Sequence, residues 1–387
     1  DGAADIHIST STGNITMVAA TSDVGIGSKS SGHGATVVME SGGDILASST
    51  GPGGKVLLGS DTNIFSRTKV ALNALGDISL DSNTLVGVES PGPNPNGGTV
   101  RMVAGWDGAT GGFGAQADTS AGYGSIFIAG SMVRTGGGSF GAYARDNIDL
   151  GHVNTDAMPG SGYQGGAITA TANNGTLSVS SISARGADGG EGDQGGNVDL
   201  WADGNVTIDS GGINASGGNG GTSFFGYGRP GGDGGTVTIT SLNGQVNVNG
   251  HINSNGGQGG IGTTHNGEGG NGGLGGTGGT INLYSDSAVV LGAGKHLNAN
   301  GGQGGAGGGD GGEGAGNGGE GGMGGTVFLD SGGKITLQAN SQVNAFGGIG
   351  GNGGTGGYSF GYGFSTGGGG GGGGMGGQGG SITLTAA

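Results

Sequence analysis

No cysteine occurs among the 387 residues, which excludes a disulfide framework and thiolate metal sites. Proline is scarce, with six in all, so a collagen triple helix is excluded despite the glycine content. Charged residues make up only 10% and apolar residues 31%, both well below globular usage. A large conventional core therefore has too little material, and an ordinary α/β enzyme is not expected. Basic side chains are few, 11 against 27 acidic ones, and the net charge of -16 opposes binding to nucleic acid or to an anionic membrane. No apolar run is long enough for a transmembrane helix. The chain opens Asp1-Gly2 without Met or an apolar leader segment, which suits a protein whose targeting peptide has been removed. With few Lys and no Cys, the expected location is secreted, extracellular or cell-surface.

Glycine is what the chain has instead, 113 residues of it. Disorder is the obvious rival reading for such a composition, because fixing glycine costs more backbone entropy than fixing any other residue. Self-similarity points elsewhere. A Gly-Gly pair followed by an alternating segment begins at 165, 195, 234, 278, 324 and 379. Three residues on stand Ile168, Val198, Val237, Ile281, Val327 and Ile382, and two further on Ala170, Leu200, Ile239, Leu283, Leu329 and Leu384. Period-2 alternation marks strands with one buried face. A second strand starts at Leu177, Val206, Val246, Val289 and Ile335, and a third at Ile182, Ile213, Ile252, Leu297 and Val343. Just behind the third come Asn214, Asn253, Asn298 and Asn344, then a small residue, Ala184, Ala215, Ser254, Ala299 or Ala345.

Length varies almost wholly after the third strand, in glycine-rich segments 186–194, 217–233, 256–277, 301–323 and 347–378 that grow along the chain. Three short strands per unit with insertions at one corner describe an all-β, three-sided parallel β-solenoid whose coils stack at about one strand spacing, roughly 4.8 Å. Equivalent side chains then form columns, with Ile and Val inside and Asn214, Asn253 and Asn298 as a polar ladder or as turn residues. Residues 1–164 read as less regular coils and 165–387 as regular ones, one continuous domain. In the first part Ile6, Ile8, Ile15, Met17, Val24 and Ile26 give one coil.

The insertions run in Gly-Gly-X triplets, as in GGNGGLGG from Gly269 and GGEGGMGG from Gly318. A helix of the polyproline-II type has three residues per turn, so such a triplet puts every X on one edge and leaves two bare faces. Neighbouring segments can then approach backbone to backbone and pair their amides. A polyglycine-II-like sheet beside the solenoid is expected.

Aromatic side chains interrupt the glycine: Phe140 and Tyr143, then Phe224, Phe225 and Tyr227, then Tyr358, Phe360, Tyr362 and Phe364. They are candidates for contact between subunits, for local packing or for stacking on carbohydrate. Both ends look uncapped: a strand with Ile6 and Ile8 opens the chain, and Ile382 and Leu384 lie on an unfinished coil. Open strand edges invite further pairing, and a head-to-tail contact that does not close grows a filament. A chain cut from a longer solenoid would look the same.

Catalytic signals are weak. His7, His33, His152, His251, His265 and His296 show no metal-binding spacing. Asp146, Asp149, Asp199 and Asp203 are the acids a polysaccharide-cleaving solenoid would use, but basic partners are sparse. Calcium is an incidental candidate at Asp188–Asp193 and at Asp310–Glu320, where the nonapeptide calcium repeat is not matched. Neither an enzyme nor a cofactor is expected.

The phrases GGKVLLGS, GDISLDS, GGNVDLWADGNVTIDS and GGKITLQANSQV resemble the parallel β-helix repeats of filamentous-haemagglutinin-like exported bacterial surface proteins. Asn94-Pro95-Asn96-Gly97 is similar to the N-P-N-G element of that family's secretion domain, without its companion N-P-N-L element. The resemblance implies export, a β-helix and adhesive or structural work. The function expected is a structural subunit of an extracellular or cell-surface filament whose partner is its own copies. The alternative is a surface adhesin for glycan or a host surface, with surface polysaccharide as partner.

Overall fold

The computed structural model describes residues 6–10, 14–19, 24–26, 37–41, 44–49, 53–88, 98–105, 123–159, 161–309, 314–356, 358–361, 364–367 and 369–387. All of its regular structure is β, and no helix occurs among the described residues. Two long sheets hold almost every strand, one of 11 strands and one of 19, and every neighbouring pair within them is parallel. A chain that returns repeatedly to the same parallel sheet, one strand spacing further on, is a β-solenoid.

Residue by residue, the register is that of the repeats. Val198 pairs with Val237, Val237 with Ile281, Ile281 with Val327 and Val327 with Ile382. These strands alternate between buried and half-exposed positions, as in TVTITS at Thr236–Ser241. The inner positions are fully buried: Val237, Ile239, Ile281, Leu283, Val327 and Leu329 are all 0% exposed. One core therefore runs the length of the molecule as stacked Ile, Val and Leu columns. At the corner after each first strand a small residue turns inward, Ala144, Ala172 and Ala202 and then Ser241 and Ser285. The buried serines satisfy their hydroxyls on the preceding layer, Ser241 Oγ donating to the Gly204 carbonyl at 2.7 Å and Ser285 Oγ to that of Gly244 at 2.8 Å.

In the first 164 residues the same stacking continues. Thr62–Ser66, Leu85–Val88 and Met132–Arg134 are strands that the apolar pattern does not single out. Each pairs in parallel with its neighbours above and below, Val86 lying between Ile64 and Val133. Phe140, expected among contact aromatics, is a core residue: it is 1% exposed and sits in register between Val100 and Ile168. In FGAYA the period-2 rule places Phe140 inside and Tyr143 outside.

Candidate interaction surfaces

Each glycine-rich insertion leaves through a small residue and returns past it. Gly235, Gly279, Gly325 and Gly380 donate their amides at 2.7 Å to the carbonyls of Ala215, Ser254, Ala299 and Ala345. Beyond this root the outgoing and returning segments bond both to each other and to neighbouring layers. In the third long insertion Gly276 N donates to Gly257 O at 2.9 Å and Gly273 N to Gly260 O at 2.8 Å, joining its two limbs. Gly302 N of the next insertion then donates to Gly276 O at 2.8 Å, and Gly275 N to Glu320 O at 2.8 Å, joining layer to layer. In segment 256–277 both glycines of a triplet therefore spend their amides inside the lattice, as Gly272, Gly273, Gly275 and Gly276 do, which meets the requirement that buried backbone donors be paired.

The third residue of the triplet has a device of its own. Asn300 N donates to Asn255 Oδ1 at 2.9 Å, Phe346 N to Asn300 Oδ1 at 2.8 Å and Asn317 N to Asn271 Oδ1 at 2.8 Å. Asparagine at X thus supplies an acceptor to the X amide of the next layer. Nothing in the spacing announced this role. The polar ladder beside the third strands is real for part of its length: Asn298 Nδ2 donates to Asn253 Oδ1, and Asn344 Nδ2 to Asn298 Oδ1, both at 2.8 Å. Asn214 leaves the ladder and accepts from the Ser216 amide in its own turn at 3.2 Å.

Among the insertion aromatics, Phe224 is 86% exposed and packs edge-on against Phe225 at 5.6 Å, with the His265 ring 5.9 Å from each. Tyr227 is half exposed nearby. For Ile6, Tyr358, Phe360 and Phe364 only the backbone is described, and Tyr362 lies outside the described residues. Tyr358–Gly361 and Phe364–Gly367 form an antiparallel pair at the tip of the last insertion.

At the last coil the inner columns open. Ile382 and Leu384 are 44% and 45% exposed, although the equivalent Val327 and Leu329 one layer below are fully buried. Leu337 beside them is 46% exposed, and with Leu384, Ile335, Ala386 and the charged Lys334 it is among the residues lining a shallow recess. Phe346, Ile349 and Met375 on the last insertion are each exposed by about two thirds. Ile8, the other end residue whose side chain is described, is 46% exposed.

The acids do not converge. Asp146 Oδ2 accepts from the Gly124 amide at 2.9 Å, Asp149 Oδ1 from Ser178 Oγ at 2.7 Å and Asp203 Oδ1 from Asn243 Nδ2 at 2.7 Å. Asp199 stands on the outer face of the first-strand column, and burial raises its carboxyl above the ordinary carboxylate range. Asp188 is held by Arg185 Nη2 at 2.6 Å, and Asp310 and Glu313 lie outside the described residues. No metal-holding cluster of His, Asp or Glu occurs among the described residues. His251 and His296 stack edge to face at 5.0 Å, and the His296 amide donates to His251 Nδ1 at 3.1 Å.

No protein family, curated protein or solved structure matches this chain.

Proposed function

We propose that the protein is a structural subunit of an extracellular or cell-surface filament, in which copies stack end to end through the open edges of the solenoid. In this reading the coil is three-sided and the glycine insertions form a polyglycine-II-like plate along one corner, which stiffens the spring against bending. The role is structural rather than catalytic, since the candidate acids are dispersed and several are occupied by neighbours. The observation that carries it is the register, in which Val198, Val237, Ile281, Val327 and Ile382 pair in parallel coil on coil, a stacking that another copy can continue. A strand edge that also exposes its apolar residues is a template for a further strand. Export and the resemblance to filamentous-haemagglutinin-like surface proteins fit the same role.

Sedimentation and negative-stain imaging across a concentration series test it. Wild-type protein is expected to form linear assemblies, and the Leu384→Lys variant to remain single, because a charge would then face the dry column of the next coil. A wild-type chain that stays monomeric at every concentration overturns the reading.

A further inference from the structure

One face of the solenoid carries a row of aromatic side chains with an unusual period. Tyr143 pairs in register with Thr171, Thr171 with Trp201, Trp201 with Thr240 and Thr240 with Tyr284. All five lie on the outer side of the 11-stranded sheet and are half-exposed, whereas their chain neighbours Ala142, Leu200, Ile239 and Leu283 are 0% exposed. The aromatic residues therefore recur at every second coil, with a threonine between. At a strand spacing of about 4.8 Å, successive rings are about 9.6 Å apart and the row spans about 19 Å.

Internal stabilisation does not account for this spacing. Cross-strand aromatic pairs stabilise a sheet when they are direct neighbours, and rings two coils apart cannot touch. Of the three rings in the row, Tyr284 alone has an aromatic neighbour among the described residues, Phe328 at 5.7 Å. At the other end the Tyr143 ring folds down over Gly141, where an added Cβ would lie 2.9 Å from a ring carbon. The bare glycine lets that ring lie along the sheet, and the Arg101 guanidinium sits 5.9 Å from its centroid.

We propose that the row Tyr143, Trp201 and Tyr284 is a binding platform for an extended, uncharged β-1,4-linked glucan. Such a chain is a flat two-fold ribbon, so the same sugar face recurs once per disaccharide, a repeat that matches two coil spacings. Its equatorial hydroxyls leave the C–H faces of the rings free to lie on aromatic surfaces. The hydroxyls at the ribbon's edge meet Thr171 and Thr240, together with Asp199 and Asn282 in the adjoining positions of the same face. A net charge of -16 disfavours polyuronates and sulfated glycans. The side chains between the rings, Thr171 and Thr240, offer hydroxyls to the sugar hydroxyls, which suits a glucan. The platform stands apart from the solenoid ends and is independent of end-to-end stacking.

The test uses the whole chain with cellohexaose, chitohexaose and maltohexaose in calorimetric titrations, and with microcrystalline cellulose in co-sedimentation. Cellohexaose and cellulose are expected to bind, maltohexaose not, and Trp201→Ala to weaken binding at least tenfold while Trp201→Phe retains most of it. Phe225→Ala, outside the row, leaves binding unchanged. Trp106 and Trp201 are the only indoles, so a Trp106→Phe protein keeps Trp201 as its single indole: cellohexaose shifts its emission to shorter wavelength. Absence of wild-type binding to cellohexaose, equal binding of maltohexaose, tighter binding of chitohexaose, or full binding by a folded Trp201→Ala/Tyr284→Ala variant each overturns the proposal.

Discussion

Gly321 and Gly376 hold equivalent places in successive returning segments, yet only at Gly321 would an added methyl strike the Gly348 carbonyl oxygen; at Gly376 that oxygen is 3.6 Å away. Gly321 is closed in by the layer above it, whereas Gly376 faces the open edge. Gly321→Ala is expected to lower stability by about 1–3 kcal/mol, the usual cost of overpacking, read as a fall in thermal midpoint. Gly376→Ala leaves the midpoint of dispersed protein unchanged but slows end-to-end assembly, measured by light scattering. Equal midpoints for the two variants would show that the returning segments do not pack in layers.

Ile239 is fully buried in the inner column between Leu200 and Leu283. Ile239→Ala leaves a cavity flanked on both sides by rigid backbone ladders that cannot collapse into it. A loss of about 2–5 kcal/mol is expected, measured by chemical denaturation, with the slope against denaturant retained.

Asn298 both donates its amide to Asn253 and accepts from Asn344, each at 2.8 Å. Asn298→Ala removes two bonds in a half-buried ladder, worth about 1 kcal/mol apiece. The same change at Asn214, which has left the ladder, is expected to cost less than half as much, and unfolding midpoints of the two variants make the comparison.

Burial, followed by the nearby His296 and Lys295, lowers the His251 pKa below the ordinary imidazole value. Below that ordinary value the unfolded chain binds a proton more readily than the folded one. Stability from this group is therefore complete above the ordinary imidazole range and is lost as pH falls through it. Thermal midpoints taken between about pH 7.5 and about pH 5.5 are expected to fall further for wild type than for His251→Gln.

Much of the coil was legible because strand alternation is local: Val198, Val237, Ile281 and Val327 announce one column, and the small residue after each third strand announces the root of each insertion. Phe140 misled because glycine neighbours suggest a loop, although its alternation with Ala142 and Ala144 is that of a buried strand face. Nothing in the local pattern singles out Asn255, Asn271 and Asn300. Their task, supplying an acceptor to an amide in the next layer, depends on a neighbour more than forty residues away.

From the amino-acid order alone came the inward and outward faces of the repeated strands and the places where the chain leaves them for glycine-rich segments, since both follow from period-2 and period-3 patterns written within a few residues. The tertiary structure decided which residues of different coils become neighbours. Insertions of unequal length are absorbed outside the core, so distance along the chain says nothing about distance up the stack. Trp201 and Tyr284 come to flank Thr240 only because inter-coil hydrogen bonds lock the register after each excursion.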